Sequence, residues 1–146
     1  AKLCILAGAR YRAAGGVTHH HDQLDAFQSR REFEAANHID TFNIAGDAPA
    51  AGFWHSLGAA VQSFHEKGVF HADMNAYNLQ IDNDGDLWML DFDRGRLLTP
   101  GPWQQKTLAR LHRSLQKIVS LDPRLHFRQA NWEEFLEGYF DASKSA

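Results

Sequence analysis

The stretch from Phe53 to Gly95 constrains this chain more than any other, because it sets three polar residues at the ends of successive elements. Phe53, Leu57, Val61 and Phe64 recur at spacings of four, four and three, the rhythm of a helix with one buried face. A helix is therefore expected from Phe53 to Lys67, with Gly68 as its C-terminal stop. The loop His71-Ala72-Asp73-Met74-Asn75-Ala76-Tyr77-Asn78 follows. Next, Leu79 and Ile81, the turn Asn83-Asp84-Gly85-Asp86 and the run Leu87 to Phe92 read as a β-hairpin whose second strand ends at Asp91. A hairpin returns the chain to the edge it left. Asp73, Asn78 five residues on and Asp91 eighteen residues on are thus expected to share one edge.

Such a triad suits phosphoryl transfer, which asks for an acceptor hydroxyl aligned with a γ-phosphate and for neutralisation of the developing charge by metal. An Asp near the nucleophile, an Asn for one metal ion and a second Asp bridging metal to phosphates meet that need. Singly, a loop Asp, a turn Asn and a strand-end Asp are common for local hydrogen-bonding reasons. Their joint order and spacing decide for a metal-phosphate site. His71 reads as a structural residue of the loop, with an Asp close by that can take the role of base.

The rest of the chain supports one soluble domain. With 146 residues, 44% hydrophobic and 23% charged, it has enough apolar material for a single core and is too apolar for disorder. A net charge of -3 speaks against a general nucleic-acid binder and leaves room for a local basic patch. The lone Cys4 cannot form an internal disulfide, which favours a reducing compartment. The uncharged run Ala48 to His65 has an amphipathic rhythm that a lipid-exposed span lacks, so no transmembrane helix is expected.

Residues 3 to 17 and 18 to 28 flank Gly15-Gly16 and read as a strand pair, Ser29 to Ala36 as a short solvated helix, and residues 37 to 52 as a loop. After Pro100-Gly101-Pro102 a helix from about Trp103 to Ser120 gathers Leu108, Leu111, Leu115, Ile118 and Val119 on one face. Lys106, Arg110, Arg113 and Lys117 fall on the other, where a solvated face is the ordinary reading. A last helix is expected from Asn131, capped with Glu134 three positions on and burying Trp132, Phe135, Leu136, Tyr139 and Phe140.

The loop, hairpin and Asp91-Phe92-Asp93-Arg94-Gly95 segment resemble the protein-kinase catalytic loop H-R-D-x-x-x-x-N followed by D-F-G. Ala72 stands where regulated protein kinases carry arginine, Asp93 replaces the glycine, and no A-P-E signature follows. These departures point to kinases of small molecules. The wording H-A-D-x-N-x-x-N at 71–78, D-F-D-R-G-R at 91–96 and G-P-W-Q-Q-K-x-L-x-R-L-x-R-S-L at 101–115 resembles the 3-deoxy-D-manno-octulosonic acid (Kdo) kinase branch of the lipopolysaccharide kinase family. That resemblance implies an α+β fold: the mainly helical C-terminal lobe of a protein-kinase-like fold over 29–146, with a catalytic hairpin, a catalytic loop at 71–78 and a metal loop at 91–95. Residues 1–28 would be remnant strands of the N-terminal lobe.

It further implies ATP and Mg2+ as cofactors, Asp73 as catalytic base, and Asn78 and Asp91 as metal and nucleotide ligands. His71, Asn75, Asp93 and Arg94 would support the site or the substrate. The expected acceptor is a Kdo-lipid A precursor at the cytoplasmic face of the Gram-negative inner membrane, met peripherally. Its carboxylate and phosphates would face either the Lys106, Arg110, Arg113 and Lys117 surface or Arg94 and Arg96. An aminoglycoside- or choline-type kinase, or a non-catalytic kinase-like binding module, are the alternatives. No Gly-rich phosphate loop or V-A-I-K-type lysine precedes the loop, so the parts that cover ATP are expected upstream of Ala1. Adjacent His19, His20 and His21 cannot all chelate one ion on a strand, and Asp82, Asn83, Asp84 and Asp86 lack the twelfth-position acid of a calcium loop.

Overall fold

The computed structural model describes residues 3–5, 12–13, 49–81, 87–90, 94–123 and 125–145. In chain order the elements are strands β1 (Leu3–Ile5) and β2 (Arg12–Ala13), helix α1 (Phe53–Glu66), β3 (Val69–Phe70), a 3-10 turn (Ala76–Asn78), β4 (Leu79–Ile81), β5 (Leu87–Met89), β6 (Arg96–Leu97), α2 (Trp103–Leu121) and α3 (Gln129–Lys144). Helix dominates and the strands are short, an α+β composition. Among the described residues, no helix is long and apolar enough to cross a membrane.

Helices α1 and α3 form the base of the molecule. Leu57, Val61 and Phe64 of α1 are buried as their spacing requires, whereas Phe53 at its start is only half covered. The two helices cross with their backbones nearly touching. A Cβ added at Gly58 would lie 1.9 Å from the carbonyl oxygen of Phe135, and one at Gly138 would lie 1.9 Å from that of His55. Only the absence of a side chain at both positions permits this approach. Leu108, Leu111, Leu115 and Ile118 of α2 complete the core, together with Trp54, Phe127, Trp132, Phe135 and Tyr139. Fully burying each Leu or Phe side chain contributes roughly 1.5–3 kcal/mol, so this cluster is the main source of stability. His112 stacks on Trp132 at 4.3 Å between ring centroids, and Trp132 stacks on Phe135 at 4.7 Å.

α1 ends where Gly68 takes φ +76, and the Gly68 N–H donates to the His65 carbonyl at 3.0 Å. The left-handed turn feeds β3, which pairs antiparallel with β6 in the register Val69↔Leu97 and Phe70↔Arg96. This two-stranded sheet carries the chain straight into His71. β4 and β5 form the expected hairpin, with Leu79 opposite Met89 and Ile81 opposite Leu87. Its second strand stops at Met89: the Leu90 N–H still meets its register partner Asn78, but the Leu90 carbonyl turns to His71 and the Asn78 N–H turns back to Asn75.

β1 pairs antiparallel with β2 and parallel with β5, giving a four-stranded sheet of order β2-β1-β5-β4. The described pair therefore closes within residues 3–13. The reversal expected at Gly15-Gly16 and the short helix expected from Ser29 to Ala36 lie outside the described residues, as do His19, His20, His21 and the hairpin turn.

Two expectations for α3 are corrected. The helix starts at Gln129, and Asn131 is not its cap but its third residue: the Asn131 Oδ1 accepts from the Arg128 N–H at 2.8 Å, while Glu134 takes no such part. Phe140 is 49% exposed, while Tyr139 beside it turns to the core and meets His65.

Candidate active site

The loop from His71 to Asn78 is built by alternation. His71, Met74 and Ala76 point into the protein and are buried, while Asp73, Asn75 and Asn78 are half exposed and Tyr77 is exposed. Met74, with no exposed surface, anchors the loop between polar residues that face out. Asn75 is both a cap and a strut. Its Oδ1 accepts from the N–H groups of Tyr77 (2.9 Å) and Asn78 (3.2 Å), which starts the 3-10 turn, and its Nδ2 donates to Asp73 Oδ2 at 3.2 Å. Both ends of its amide are thus used within the loop, so Asn75 supports Asp73.

His71 ties this loop to the hairpin. Its Nε2 lies 2.7 Å from the Leu90 carbonyl oxygen, which can only accept, so that nitrogen carries the proton. The Asp73 N–H donates to Nδ1 at 3.1 Å, which requires that nitrogen to be bare. Both bonds together define a neutral ring in one tautomer. Asn78 makes a second bridge: its Nδ2 donates to the Asp73 carbonyl at 2.9 Å, and its own carbonyl accepts from the Leu90 N–H at 2.7 Å. Asp73 and Asn78 are therefore brought together, and Leu90 is held to the same loop through both its main-chain groups. Asp91, Phe92 and Asp93 lie outside the described residues.

The amide nitrogen of Asn78 is committed to Asp73, which leaves Oδ1 as the end that can meet a cation. An amide oxygen is a donor that a hard divalent ion accepts, so this residue fits a magnesium ligand. Among the described residues no group of three His, Cys, Asp or Glu side chains converges as a metal site, and the carboxylate expected to complete one is Asp91.

Sequence reasoning missed how α2 takes part. Ser114 Oγ accepts from the Ala76 N–H at 2.9 Å, fixing the loop backbone from below. Arg110, one turn earlier on the same face, places Nη1 3.2 Å from Asp73 Oδ1. Arg110 thus belongs to the site; Lys106, Arg113 and Lys117 are exposed along the same helix. The signal was present: residues four apart share a helix face, and both lie in the 101–115 motif. Arg94 and Arg96 are exposed on the segment that forms β6, with Arg96 paired in register to Phe70, next to the loop.

Farther in, His65 and Tyr139 pair across the core, with Nδ1 2.7 Å from the Tyr139 hydroxyl oxygen. Burial lowers the His65 pKa from 6.5 to about 4 and raises that of Tyr139 to about 12. Both groups are neutral at pH 7, and the pair serves packing.

Comparison with known proteins agrees with the motif order. The model of the Kdo/WaaP lipopolysaccharide kinase family matches residues 20–139. A 3-deoxy-D-manno-octulosonic acid kinase of Xylella fastidiosa (strain 9a5c) is 47% identical over 66 residues, 44% of this chain and 26% of that protein. One of Xanthomonas campestris pv. campestris (strain B100) is 44% identical over 80 residues, 52% of this chain and 32% of the relative. One of Photobacterium damsela subsp. piscicida is 36% identical over 99 residues, 67% of this chain and 41% of the relative. The chain spans about a quarter to two fifths of the length of these relatives.

Proposed function

We propose, from the premise that the chain belongs to the lipopolysaccharide kinase (Kdo/WaaP) family, that it carries the catalytic loop of an ATP-dependent kinase. The acceptor is a hydroxyl of 3-deoxy-D-manno-octulosonic acid in the lipopolysaccharide inner core, on a lipid A-linked precursor. The relatives' name supports the acceptor, and the motif order supports the reaction. One observation carries the reading: Leu90, the residue before Asp91, is bonded through its N–H to Asn78 and through its carbonyl to His71. The loop that bears Asp73 and the strand that leads to Asp91 are thereby joined, as a shared nucleotide site requires.

In this reading Asp73 is the base. As the acceptor oxygen bonds to the γ-phosphorus, the bond from phosphorus to the β–γ bridging oxygen breaks, ADP leaves with that electron pair, and the hydroxyl proton passes to the Asp73 carboxylate. Asn75 restrains one carboxylate oxygen, which limits rotation of the base, and Arg110 touches the other. Asn78, through Oδ1, and Asp91 would hold magnesium, with Asp93 and Arg94 in support. Magnesium, when bound, neutralises charge on the phosphates. Because the acceptor is lipid-linked, the protein works peripherally at the cytoplasmic face of the inner membrane.

The test is transfer of phosphate from labelled ATP to a Kdo-bearing acceptor by the full-length protein. Asp73→Asn is expected to lower kcat by roughly 100- to 10,000-fold, the range of a general base, with little change in nucleotide binding. Wild-type turnover in that variant, or transfer to aminoglycosides or choline in place of the sugar acid, would overturn the proposal.

A further inference from the structure

We infer that Arg110 selects the acceptor by its carboxylate, binding that group beside Asp73 and so admitting a sugar acid in preference to a neutral sugar. The inference rests on the kinase reading above. Among the described cations, Arg110 is the one whose guanidinium reaches Asp73, at 3.2 Å through Nη1. The contact is single-point, and both side chains are about half exposed, at 52% and 44%. Such a pair contributes little to stability, so folding alone gives no strong reason for an arginine here. Nor does Asp73 depend on it for orientation, because Asn75 holds the other carboxylate oxygen and His71 holds the Asp73 backbone.

A guanidinium has five N–H donors in a planar fork, and the contact with Asp73 uses one of its nitrogens. That fork matches a carboxylate in two-point geometry. The helix that carries it is held against the loop, since Ser114 one turn along α2 bonds the loop at Ala76. An acid whose hydroxyl sits at Asp73 therefore brings its own carboxylate within reach of a cation already in place. Without that cation, an anionic acceptor would approach the Asp73 carboxylate and the phosphates of ATP against like charge.

The experiment is steady-state kinetics of the full-length protein and its Arg110→Gln variant at saturating ATP. Two acceptors are compared: a Kdo-bearing one and the same compound with its carboxyl converted to the methyl ester, all phosphates unchanged. Wild type is expected to favour the acid in kcat/KM by roughly 10- to 100-fold, the range of a charged hydrogen-bonded pair. Arg110→Gln brings the ratio to about one by raising KM for the acid, leaves KM for ATP unchanged, and Arg110→Lys restores part of the preference. A preference retained in Arg110→Gln overturns the inference, as does an equal fall in kcat for both acceptors, which would mark Arg110 as a positioning residue for Asp73. A preference lost from the ester upward, with KM for the acid unchanged, also overturns it. A wild-type protein inert towards both acceptors overturns the functional reading itself, and this inference with it.

Discussion

Acidification should loosen this protein through one buried histidine. His65 has no exposed surface, bonds Tyr139 at 2.7 Å, and packs edge-on against Trp103 with ring centroids 5.1 Å apart. Burial holds its pKa at about 4 against an ordinary 6.5. Between these values the unfolded chain takes up a proton that the folded chain refuses, so stability falls as pH drops through the window. Above pH 6.5 both states are neutral and nothing changes; below about 4 both are charged and the loss stops growing. At about 1.4 kcal/mol per pH unit, the interval from 6.5 to about 4 amounts to a loss of about 3 kcal/mol. Urea unfolding of wild type and His65→Gln, measured from pH 7.5 to pH 4, isolates the effect. The variant has a fixed packing cost at every pH, and His112, whose pKa burial also lowers, titrates in both proteins. The advantage of wild type over the variant should shrink by about 3 kcal/mol across the series. A difference that stays constant from pH 7 to pH 4 would refute the reasoning.

Other expectations follow from single contacts. Gly58→Ala or Gly138→Ala must push α1 and α3 apart, at about 1–3 kcal/mol, against a helix-propensity gain of up to about 1 kcal/mol. Each should lower the Tm, while Gly101→Ala, whose added Cβ meets nothing nearer than 3.8 Å, should not. Ser114→Ala leaves the buried Ala76 N–H without its acceptor, a cost of about 1–3 kcal/mol by denaturant titration, and should reduce kcat more than it alters KM for ATP. His71→Phe keeps an aromatic ring but removes the hydrogen bonds to Leu90 and Asp73, and should cut kcat by about 100-fold if Asp73 is the base proposed above.

What the sequence made legible was whatever repeats. The buried faces of α1 and α2 follow helical spacing, and Leu57, Val61, Phe64, Leu108, Leu111 and Leu115 are all in the core. The hairpin followed from its turn residues, in the register Leu79↔Met89. Elements set by partners distant in sequence were not legible. The pairing of β3 with β6 joins residues about 27 apart with no periodic signal. Asn131 was misread because asparagine serves equally as a cap and as the residue that bonds back to a cap. Within the loop, Asp73 and Asn78 were singled out by spacing and Asn75 by the resemblance, whereas the contacts of Ser114 and Arg110 depend on how α2 packs. A cation on a helix surface looks the same in a sequence whether it faces water or a carboxylate. The expectations for Asp91 and Asp93 concern residues outside those described.

The tie at Leu90 uses no side chain of that residue, since its N–H and carbonyl make both bonds. Many apolar residues could stand there without loosening the link, while the imidazole at position 71 has no ready substitute. An amide is flat, so gripping one carbonyl oxygen resists rotation of the whole unit leading onward to residue 91. Whatever aligns Asp73 therefore also steadies the departure of the chain towards Asp91, the proposed metal ligand, and a blow to either half of the proposed machinery should be felt in the other.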